Sequence, residues 1–383
     1  MSGGMRLQAE WLTDAGTTAV FDALAGHGAW FVGGCVRNGL LGLEVADIDI
    51  CTDARPEKVM ELAAVAGLKA VPTGIDHGTV TLVADGRPHE ITTLRRDIET
   101  DGRRASVAFT GELAEDAARR DFTMNALYAT RDGAVLDPNG KGLTDLEARR
   151  VRFIGDADAR IAEDYLRILR FFRFHAWYAD PAGGMDAEAL AACAAGVDGL
   201  ASLSRERVGA EICKLLSAPD PAPAVAAMDQ TGVLAAVLPG ASSRVLTVLT
   251  GLEDGLALDA VRRLAALGGE DVAERLRLSK ADARRLALCR EEMGGMSPPG
   301  ALGYRHGRDA ARDVLALRAA LLERPSGEDA LRAVEDGARA VFPVKAADLP
   351  QVQGKALGDR LKALETAWIN SGFSLTKDQL LSQ

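Results

Sequence analysis

The stretch at residues 33–50 reads GGCVRNGLLGLEVADIDI and ends with two aspartates, Asp47 and Asp49, at alternate positions of an apolar run. Aspartate is depleted in strands, and two carboxylates on one strand face repel each other. Alternate residues of a strand share a face about 6–7 Å apart, so this pair could hold one or two hard cations together with phosphates. Glu90, in HEITTLR, would add a third carboxylate if its strand lies alongside. The alternative is a solvated edge strand with chance acidic residues.

A glycine pair, Gly33 and Gly34, follows the apolar run WFV and precedes a short helical run that carries Arg37. Backbone amides at such a turn can approach a triphosphate closely, and Arg37 would add positive charge one turn into the helix. A glycine pair alone is weak evidence, and this one is not a G-x-G-x-x-G dinucleotide fingerprint. The complete order of strand, glycine turn, arginine helix and D-x-D strand is much rarer. It favours phosphoryl or nucleotidyl transfer.

The composition limits the classes of protein to consider. With 383 residues the chain exceeds the usual size of one hydrophobic core, so we expect two or more domains. It has no apolar run of about 18 residues or more and no signal-peptide core, which predicts a cytoplasmic protein without a membrane segment. Its five cysteines form no C-x-x-C pair, which argues against zinc and disulfides, and nothing in the chain specifies an oligomeric state. Because the net charge is −10, nucleic-acid binding would need a local basic surface, which we expect from arginines of the helical half.

The chain changes character near residue 155. Before it, helical stretches around 7–26 and 55–66 alternate with short β-rich runs bounded by glycine, proline and aspartate: AWFVGG, DIDICT, KAVPTG, GTVTLVA and HEITTLR. From Asp156 onward alanine, leucine and arginine recur at helical spacing, and strand patterns are almost absent. The sequence predicts an N-terminal α/β head followed by an all-helical remainder.

The segment EDYLRILRFFRFHAW, at 163–177, is predicted to be one helix on which Asp164, Arg167, Arg170 and Arg173 recur every three residues. A solvated face with an Asp164–Arg167 ion pair is the plain alternative. It fits poorly because the remaining positions are almost all apolar, which predicts a largely buried helix. Partly buried arginines need partners, and one aspartate cannot satisfy three of them. We therefore expect a nucleotide to do so.

The pairing chemistry of Asp164 and Arg167 indicates which nucleotides fit. A carboxylate only accepts hydrogen bonds and a guanidinium only donates them. Cytosine and adenine offer an exocyclic amino group to the carboxylate, and the adjacent ring nitrogen accepts from the arginine. Uracil and guanine would place a carbonyl oxygen against the carboxylate. Such a pair selects CTP and ATP without a nucleic-acid template.

Five ordered motifs resemble those of the class II tRNA nucleotidyltransferases, the CCA-adding enzymes of the bacterial and eukaryotic type, within the poly(A) polymerase head-domain superfamily. In chain order these motifs are GGCVRNGLLG…DIDICTDARPEKV, RRDFTMNALY (119–128), DPNGKGLTDL (137–146), EDYLRILRFFR and LSRERVGAEICKLL (203–216). The tail GKALGDRLKALETAWINSGFSLTKDQLL is similar to the C-terminal helices that grip tRNA in this family. The resemblance covers most of the chain.

The resemblance implies roles for individual residues. Asp47 and Asp49 would bind catalytic Mg²⁺, with Glu90 in support. Asp164 and Arg167 would read the base. The remaining nucleotide contacts would come from the glycine turn and four arginines: Gly33, Gly34, Arg37 and Arg120 at the triphosphate or ribose, and Arg170 and Arg173 at phosphate and behind the base-reading pair. One departure is Asn38, where the family usually has aspartate after the arginine; a local hydrogen bond could survive this change.

The resemblance also implies an architecture and a reaction. The expected fold is a polymerase-β-like nucleotidyltransferase palm with a mixed sheet of about five strands, followed by an all-α neck, body and tail. The boundaries would be 1–152 for the head, 153–217 for the neck that selects nucleotides and binds RNA, and 218–383 for the tRNA-binding body and tail. The expected reaction is template-independent addition of C, C and A to the 3′ end of tRNA, with contacts to the acceptor region and release of pyrophosphate.

Three alternatives remain at this point. A poly(A) polymerase would share the palm, but PTGIDHGTVTLV (72–83) resembles CCA-adding enzymes, and the long basic extension of that group is missing. A relative that adds only CC or only A is the second, although the segment at 95–113 has full length and is expected to be a mobile, solvent-facing loop. An inactive RNA-binding protein on the same scaffold is the third, and the intact Asp47, Asp49 and Asp164 argue against it.

Overall fold

The computed structural model describes residues 5–101 and 104–382, which form two compact units. The first unit comprises residues up to Ser204 together with Thr231–Ala236, and the second comprises Arg205–Gln230 with Val237–Gln383. All the strands of the described residues lie in the first unit, before residue 137, and helices follow, as the change in sequence character predicts. The finer boundaries after residues 152 and 217 stay a prediction.

The strands alternate with helices in the first unit. The strands are β1 (Ala29–Val32), β2 (Ile48–Thr52), β3 (Lys69–Gly74), β4 (Thr79–Ala84), β5 (Arg87–Thr93), β6 (Arg95–Asp101), β7 (Arg104–Phe109), β8 (Tyr128–Ala129) and β9 (Val135–Leu136). The first unit's helices up to Ser204 are α1 (Ala15–Ala23), α2 (Gly34–Leu40), α3 (Pro56–Val65), α4 (Leu113–Ala118), α5 (Gly142–Glu147), α6 (Ala157–Glu163), α7 (Leu166–Tyr178) and α8 (Ala187–Ala195).

Helices continue to the end of the described chain. They are α9 (Arg205–Leu216), α10 (Ala222–Gln230), α11 (Val233–Val237), α12 (Arg244–Thr250), α13 (Ala260–Leu267), α14 (Val272–Arg275), α15 (Lys280–Met293), α16 (Pro299–His306), α17 (Arg308–Leu321), α18 (Glu328–Arg339), α19 (Gly354–Asn370) and α20 (Lys377–Leu381).

The described residues build a seven-stranded mixed sheet in the order β3-β4-β5-β2-β1-β8-β9. Strand β2 pairs in parallel with β5 and antiparallel with β1. The mixed sheet of the expected palm is confirmed, but it is wider than the sheet of about five strands that the resemblance implies. The additional strands β8 and β9 have only two residues each, too few to show alternating polarity.

One face of this sheet carries the core of the palm. Ile50 of β2 lies opposite Phe31 of β1, and both side chains are fully buried. Phe21 of α1 packs on Phe31 with ring centroids 4.7 Å apart, and α1 and α3 both contact β4. Because side chains alternate along a strand, Asp49 projects from the face opposite Ile50. The carboxylate therefore lies on the side of the sheet away from these two helices.

The segment at 95–113 is a two-stranded ribbon followed by α4 and not the loop that the sequence predicts. Strands β6 and β7 pair antiparallel, from Arg95 opposite Phe109 to Asp101 opposite Arg104, with an irregular register between Asp97 and Glu99. Residues 102 and 103 lie outside the described residues. The polar, charged composition that predicted a loop is also typical of a solvated ribbon, since such strands have little apolar alternation.

The arginine-rich segment also differs from prediction. It is not one helix over 163–177, because α6 ends at Glu163 and α7 begins at Leu166. Asp164 has extended backbone angles between them, and its side chain accepts a hydrogen bond from the Leu166 N–H at 3.1 Å. Aspartate favours such local bonds to the backbone at helix starts over positions inside a helix.

The second unit contains a buried ionic cluster. Arg262 and Arg263 of α13 are 2% and 1% exposed. Glu253 bonds to both, at 2.8 Å from Arg262 Nε and 2.9 Å from Arg263 Nε, and Asp313 of α17 lies 2.7 Å from Arg262 Nη1. Removing one member of such a buried set typically costs about 3–5 kcal/mol. These two arginines of the helical half therefore stabilise its core, and the basic surface that the sequence analysis expects must come from exposed ones.

Candidate active site

Three acidic residues converge on one face of the palm. Asp49 of β2 is the register partner of Glu90 on β5, so the strand of Glu90 does lie alongside, as expected. Asp47 directly precedes β2 and is exposed, as is Glu90, whereas Asp49 is half-buried. Burial, and then the charges of Glu90 and Asp47, raise the pKa of Asp49 to about 6, although Arg120 opposes them. The site thus collects negative charge that a cation would neutralise.

This donor set fits a divalent cation with oxygen ligands. Carboxylate oxygens are the donors that hard cations such as Mg²⁺ prefer. Within residues 5–101 and 104–382, no three Asp, Glu, His or Cys side chains are close enough to enclose an ion by themselves. Mg²⁺ is usually bound through one or two carboxylates, with substrate phosphates and water supplying the rest. The arrangement matches that mode and not a closed protein cage.

The glycine turn lies beside these carboxylates in the fold. Gly33 has φ +71° and ψ −120°, a backbone conformation that is strained for any residue with a Cβ. Glycine at this position therefore allows α2 to begin directly at Gly34. No side chain caps the start of α2. A Cβ at Gly33 would lie 3.5 Å from Arg120 Nη1, so this guanidinium faces the turn. The structure therefore brings Arg120 to the Gly33 turn, and the nucleotide contacts that the resemblance implies for Gly33, Gly34 and Arg120 stay a proposal.

Arg37 is buried, and its guanidinium is held by neighbouring side chains. Its guanidinium donates to Asn38 Oδ1 at 2.8 and 3.0 Å, to Asn125 Oδ1, and to the Tyr178 hydroxyl at 2.8 Å. It also lies over the Tyr178 ring, 4.0 Å from the centroid. The departure at Asn38 keeps the local hydrogen bond that the sequence analysis expects. Arg37 connects α2 to α7, and its predicted phosphate contact stays a proposal.

The arginines of α7 have protein partners that sequence reasoning missed. Arg167 pairs with Glu163 at the end of α6 and also donates to the Arg160 carbonyl at 2.7 Å. Arg170 pairs with the buried Asp121, its Nε 2.7 Å from the carboxylate. Protein groups therefore satisfy much of the bonding capacity of Arg167 and Arg170, and the nucleotide contact that the sequence analysis expects for them stays a proposal. Sequence spacing identifies i, i+3 and i, i+4 neighbours such as Glu163, but it cannot identify a distant partner such as Asp121.

Asp121 links two parts of the site. Its carboxylate accepts from Arg170 and, at 2.9 Å, from the side-chain amide of Asn125, whose oxygen accepts from Arg37. Burial alone would raise the pKa of Asp121, but Arg170 and these hydrogen bonds hold it below its usual value. Arg173 lies against the Phe174 ring at 4.5 Å. Arg37 of α2 and Arg170 of α7 thus belong to one hydrogen-bonded network.

Comparisons with known proteins agree with this geometry. The family model described as "Poly A polymerase head domain" matches residues 29–152, and "Probable RNA and SrmB- binding site of polymerase A" matches residues 184–244. The mitochondrial CCA tRNA nucleotidyltransferase 1 of Homo sapiens is 34% identical over 387 residues, covering 93% of this chain and 86% of the human one. The chain belongs to the CCA tRNA nucleotidyltransferase family. The Mus musculus protein of the same name is 33% identical with the same coverage.

Solved structures of the CCA-adding enzymes share the fold. The Bacillus stearothermophilus CCA-adding enzyme in complex with CTP superposes with a TM-score of 0.70 at 27% identity, covering 92% of this chain and 91% of that one. The Thermotoga maritima CCA-adding enzyme complexed with tRNA has a TM-score of 0.69 at 20% identity and covers 95% of this chain. At this lower identity the likeness concerns the fold alone. This chain is thus a nucleotidyltransferase of the CCA-adding type.

Proposed function

We propose that this CCA tRNA nucleotidyltransferase adds C, C and A in turn to the 3′ end of tRNA, using CTP and ATP. The observation that carries the proposal is the register of Asp49 with Glu90 on adjacent parallel strands, beside the Gly33 turn and Arg120. Carboxylates for a divalent metal next to a phosphate-binding turn are what nucleotidyl transfer requires.

Asp47 and Asp49 are the proposed metal ligands, with Glu90 supporting them, and Mg²⁺ is the proposed ion. When bound, the metal supplies charge neutralisation at the α-phosphate and lowers the pKa of the attacking hydroxyl. The tRNA 3′ hydroxyl oxygen forms a bond to the α-phosphorus and its proton passes to solvent water, while the bond from the α-phosphorus to the oxygen that bridges to the β-phosphate breaks and releases pyrophosphate. The first amides of α2 and Arg120 would hold the triphosphate in line for this displacement.

Asp164 and Arg167 are the proposed base readers. The Arg167 N–H donates to the Asp164 carbonyl at 3.0 Å, so the backbone keeps the two residues adjacent. Glu163 holds the Arg167 guanidinium, which restricts its rotamers before a base arrives. A preorganised pair selects better because less side-chain entropy is lost on binding. The same acceptor–donor arrangement accepts cytosine and adenine and repels uracil and guanine.

The Asp164→Ala variant should lose discrimination as well as rate. Without the carboxylate, no acceptor remains for the amino group of C or A and nothing repels a carbonyl oxygen. The kcat/KM values for UTP and GTP should therefore rise relative to those for CTP and ATP. We expect the kcat/KM ratio of CTP over UTP to fall by about tenfold or more, in line with one hydrogen bond to a charged group. Single-nucleotide extension of tRNA with each of the four nucleotides measures it.

A matched control is Asp158→Ala, which removes an exposed carboxylate from the first turn of neighbouring α6. It should leave the CTP/UTP ratio within about twofold of the parent, as surface changes usually do. Equal slowing of all four nucleotides by Asp164→Ala would contradict the base-reading role.

Product length tests the function itself. The parent protein is incubated with tRNA that lacks its 3′ end, with CTP, ATP or both. Stopping after C, C and A supports the proposal. A long A tract would indicate a poly(A) polymerase, stopping after CC or after one A a partial enzyme, and no extension an inactive RNA-binding protein.

Binding to tRNA should depend strongly on salt despite the net charge of −10. Helix α9 lies within the matched RNA-binding region and carries exposed Arg205, Arg207 and Lys214. Release of counterions should weaken affinity more than tenfold between about 50 and 200 mM salt. Arg207→Gln should reduce the slope of log Kd against log salt by about one contact, while Arg131→Gln, an exposed arginine of the head, should leave it unchanged. A flat salt response of the parent would contradict a tRNA partner.

The cellular compartment stays a proposal. None of the helices in the described part of the chain is long and apolar enough to cross a membrane. Both relatives named above are mitochondrial proteins. We propose the cytoplasm for this chain, as the sequence analysis expects.

A further inference from the structure

A buried carboxylate next to the nucleotide site has an unusual number of donors. Asp116, near the end of α4, is 1% exposed. Its Oδ2 accepts from Arg120 Nη2 at 2.8 Å, from Arg120 Nε at 3.1 Å and from the Tyr128 hydroxyl at 2.8 Å. Its Oδ1 accepts from Arg119 Nε at 3.1 Å and from the Arg95 N–H at 3.4 Å. A carboxylate offers about four lone-pair positions, so its capacity is full.

These bonds leave Arg120 one direction for a ligand. Nε and Nη2 form a fork on one oxygen of Asp116, Oδ2, while Nη1 lies 3.5 Å from the position that a Cβ at Gly33 would occupy. Because the N–H groups of a guanidinium have fixed directions, two of them on one acceptor set the direction in which the group points. The free edge of Arg120 is therefore aimed at the phosphate-binding turn.

Tyr128, on the sheet, contacts the ion pair of Asp116 and Arg120. It lies on β8 opposite Val32, the residue that precedes Gly33. Its hydroxyl donates to Asp116 and accepts from Arg120 Nε at 3.1 Å, and its ring lies 5.4 Å from the guanidinium carbon. Tyr128 thus contacts both members of the ion pair and is paired with the strand that leads into the turn.

The charges favour a permanently ionised pair. Burial by itself would raise the pKa of Asp116, but Arg120, Arg119 and the Tyr128 hydroxyl lower it to about 2. The same surroundings raise the pKa of Arg120. At neutral pH the carboxylate is therefore always an acceptor, and the geometry of Arg120 does not depend on a proton.

We propose that Asp116 and Tyr128 are positioning residues that hold Arg120 against the Gly33 turn for the triphosphate or ribose of the incoming nucleotide. The inference rests on the proposed function. It carries a specific consequence: both contacted groups are common to CTP and ATP, so loss of the positioning residues must affect the two nucleotides alike. Loss of a residue that reads the base would in addition change the ratio of kcat/KM for CTP over UTP.

The test is steady-state kinetics of single C and single A addition by the full-length chain. Tyr128→Phe keeps the ring and removes only the hydroxyl. We expect KM for both CTP and ATP to rise about fivefold, as for one lost hydrogen bond, with the CTP/UTP ratio unchanged. Asp116→Asn should raise both KM values further, because the fork on Arg120 is weakened. Tyr128→Phe keeps the test decisive if Asp116→Asn does not fold.

A double-mutant cycle separates positioning from plain stability. In an Arg120→Ala background, Tyr128→Phe should add no further rise in KM, because its effect acts through Arg120. The control is Thr17→Val, which removes a fully buried hydroxyl, 3.3 Å from His89 Nε2, on the other face of the sheet. It should lower Tm without changing either KM.

The outcomes separate the inference from the proposed function. A parent protein that extends tRNA, with Tyr128→Phe and Thr17→Val indistinguishable in KM, overturns the positioning role and leaves the function standing. Additive effects of Tyr128→Phe and Arg120→Ala overturn it as well. A parent protein that does not extend tRNA with CTP or ATP overturns the proposed function itself.

Discussion

Asp47→Ala and Asp49→Ala should each lower the rate of nucleotidyl transfer by about a thousandfold or more. In two-metal catalysis the ions stabilise the charge of the transition state by several kcal/mol, and about 1.4 kcal/mol of barrier corresponds to a factor of ten in rate. Either substitution removes a proposed ligand from a site in which phosphate and water supply the rest. Single-turnover addition of C to tRNA at saturating Mg²⁺ and CTP measures the loss. Glu90→Ala should be milder, since Glu90 supports the pair.

The fold should survive these substitutions. Asp47 is exposed, and Asp49 has a pKa raised to about 6 by burial and by Glu90 and Asp47, so its charge is unfavourable in the folded protein. Removing it relieves repulsion and should raise Tm slightly in the absence of metal. A loss of activity together with an unchanged or higher Tm is the signature of a ligand, and not of a core residue.

Asp53→Ala provides the control from the opposite end of the same strand. Its carboxylate follows β2 and accepts from the Gly28 N–H at 3.0 Å, away from the glycine turn in sequence. It should reduce stability by about 1 kcal/mol and leave kcat within about twofold. Mn²⁺ binding measured by electron paramagnetic resonance adds a readout besides activity, and it should weaken only for the Asp47 and Asp49 variants. Transfer rates within tenfold of the parent for both would end the metal assignment.

The palm was predictable because its signals are local. Strands β1 to β5 are each a β-rich run bounded by glycine, proline or aspartate, and the D-x-D pair is recognisable because it places charge inside an apolar strand. The sequence analysis names Glu90 as a third carboxylate if its strand lies alongside, and the fold supplies both the adjacency and the register with Asp49. Helix α2 is equally readable, since Gly33 allows the sharp change from strand to helix that a side chain would strain.

The arginine network was not predictable, for physical reasons. Spacing shows that Arg167 and Arg170 are partly buried and need acceptors, but it does not show where acceptors far along the chain will lie. Asp121 and Asp116 look like ordinary acidic residues near a helix end in the sequence. Only the tertiary fold brings Asp121 to Arg170. The break at Asp164 was missed because the apolar pattern continues across it, while a single side-chain bond to Leu166 ends the helical course.

Replacing residues 98–106 by a short glycine linker should leave CC addition largely intact and nearly abolish addition of the terminal A. One Asp–Arg pair must serve both a small and a large base, so the pocket has to change between the second and third additions. A rigid pocket sized for cytosine would exclude adenine. Some element connected to the site must therefore move, on the microsecond-to-millisecond scale of lid motions.

The base of the β6–β7 ribbon is hydrogen-bonded to the end of the strand that carries Asp49. The Leu94 N–H donates to the carbonyl of Thr52 at 2.8 Å, and the Thr110 N–H donates to the Leu94 carbonyl at 2.9 Å. Thr52 ends β2, the strand of Asp49. A paired ribbon is stiffer than a loop, so motion of its outer part would be transmitted to this root. The replacement keeps the inner pairs, Arg95 with Phe109, Arg96 with Ala108 and Asp97 with Val107, and removes what lies beyond the irregular register.

Two linkers of different length distinguish a ribbon that transmits motion to the site (a lever) from a ribbon that only covers it (a shield). A glycine–serine linker of the same length as residues 98–106 keeps the covering mass but loses the strand pairing, and the short linker loses both. If the ribbon acts as a lever, both variants should complete CC and stop, because neither transmits motion. If it only shields the site, the equal-length linker should restore A addition, since mobile segments near active sites often do no more than exclude water. The measurement is the ratio of CCA to CC product at single-nucleotide resolution, under single-turnover conditions with both nucleotides present. Completion of CCA by the short variant at the rate of the parent would show that the base pocket adapts without the ribbon.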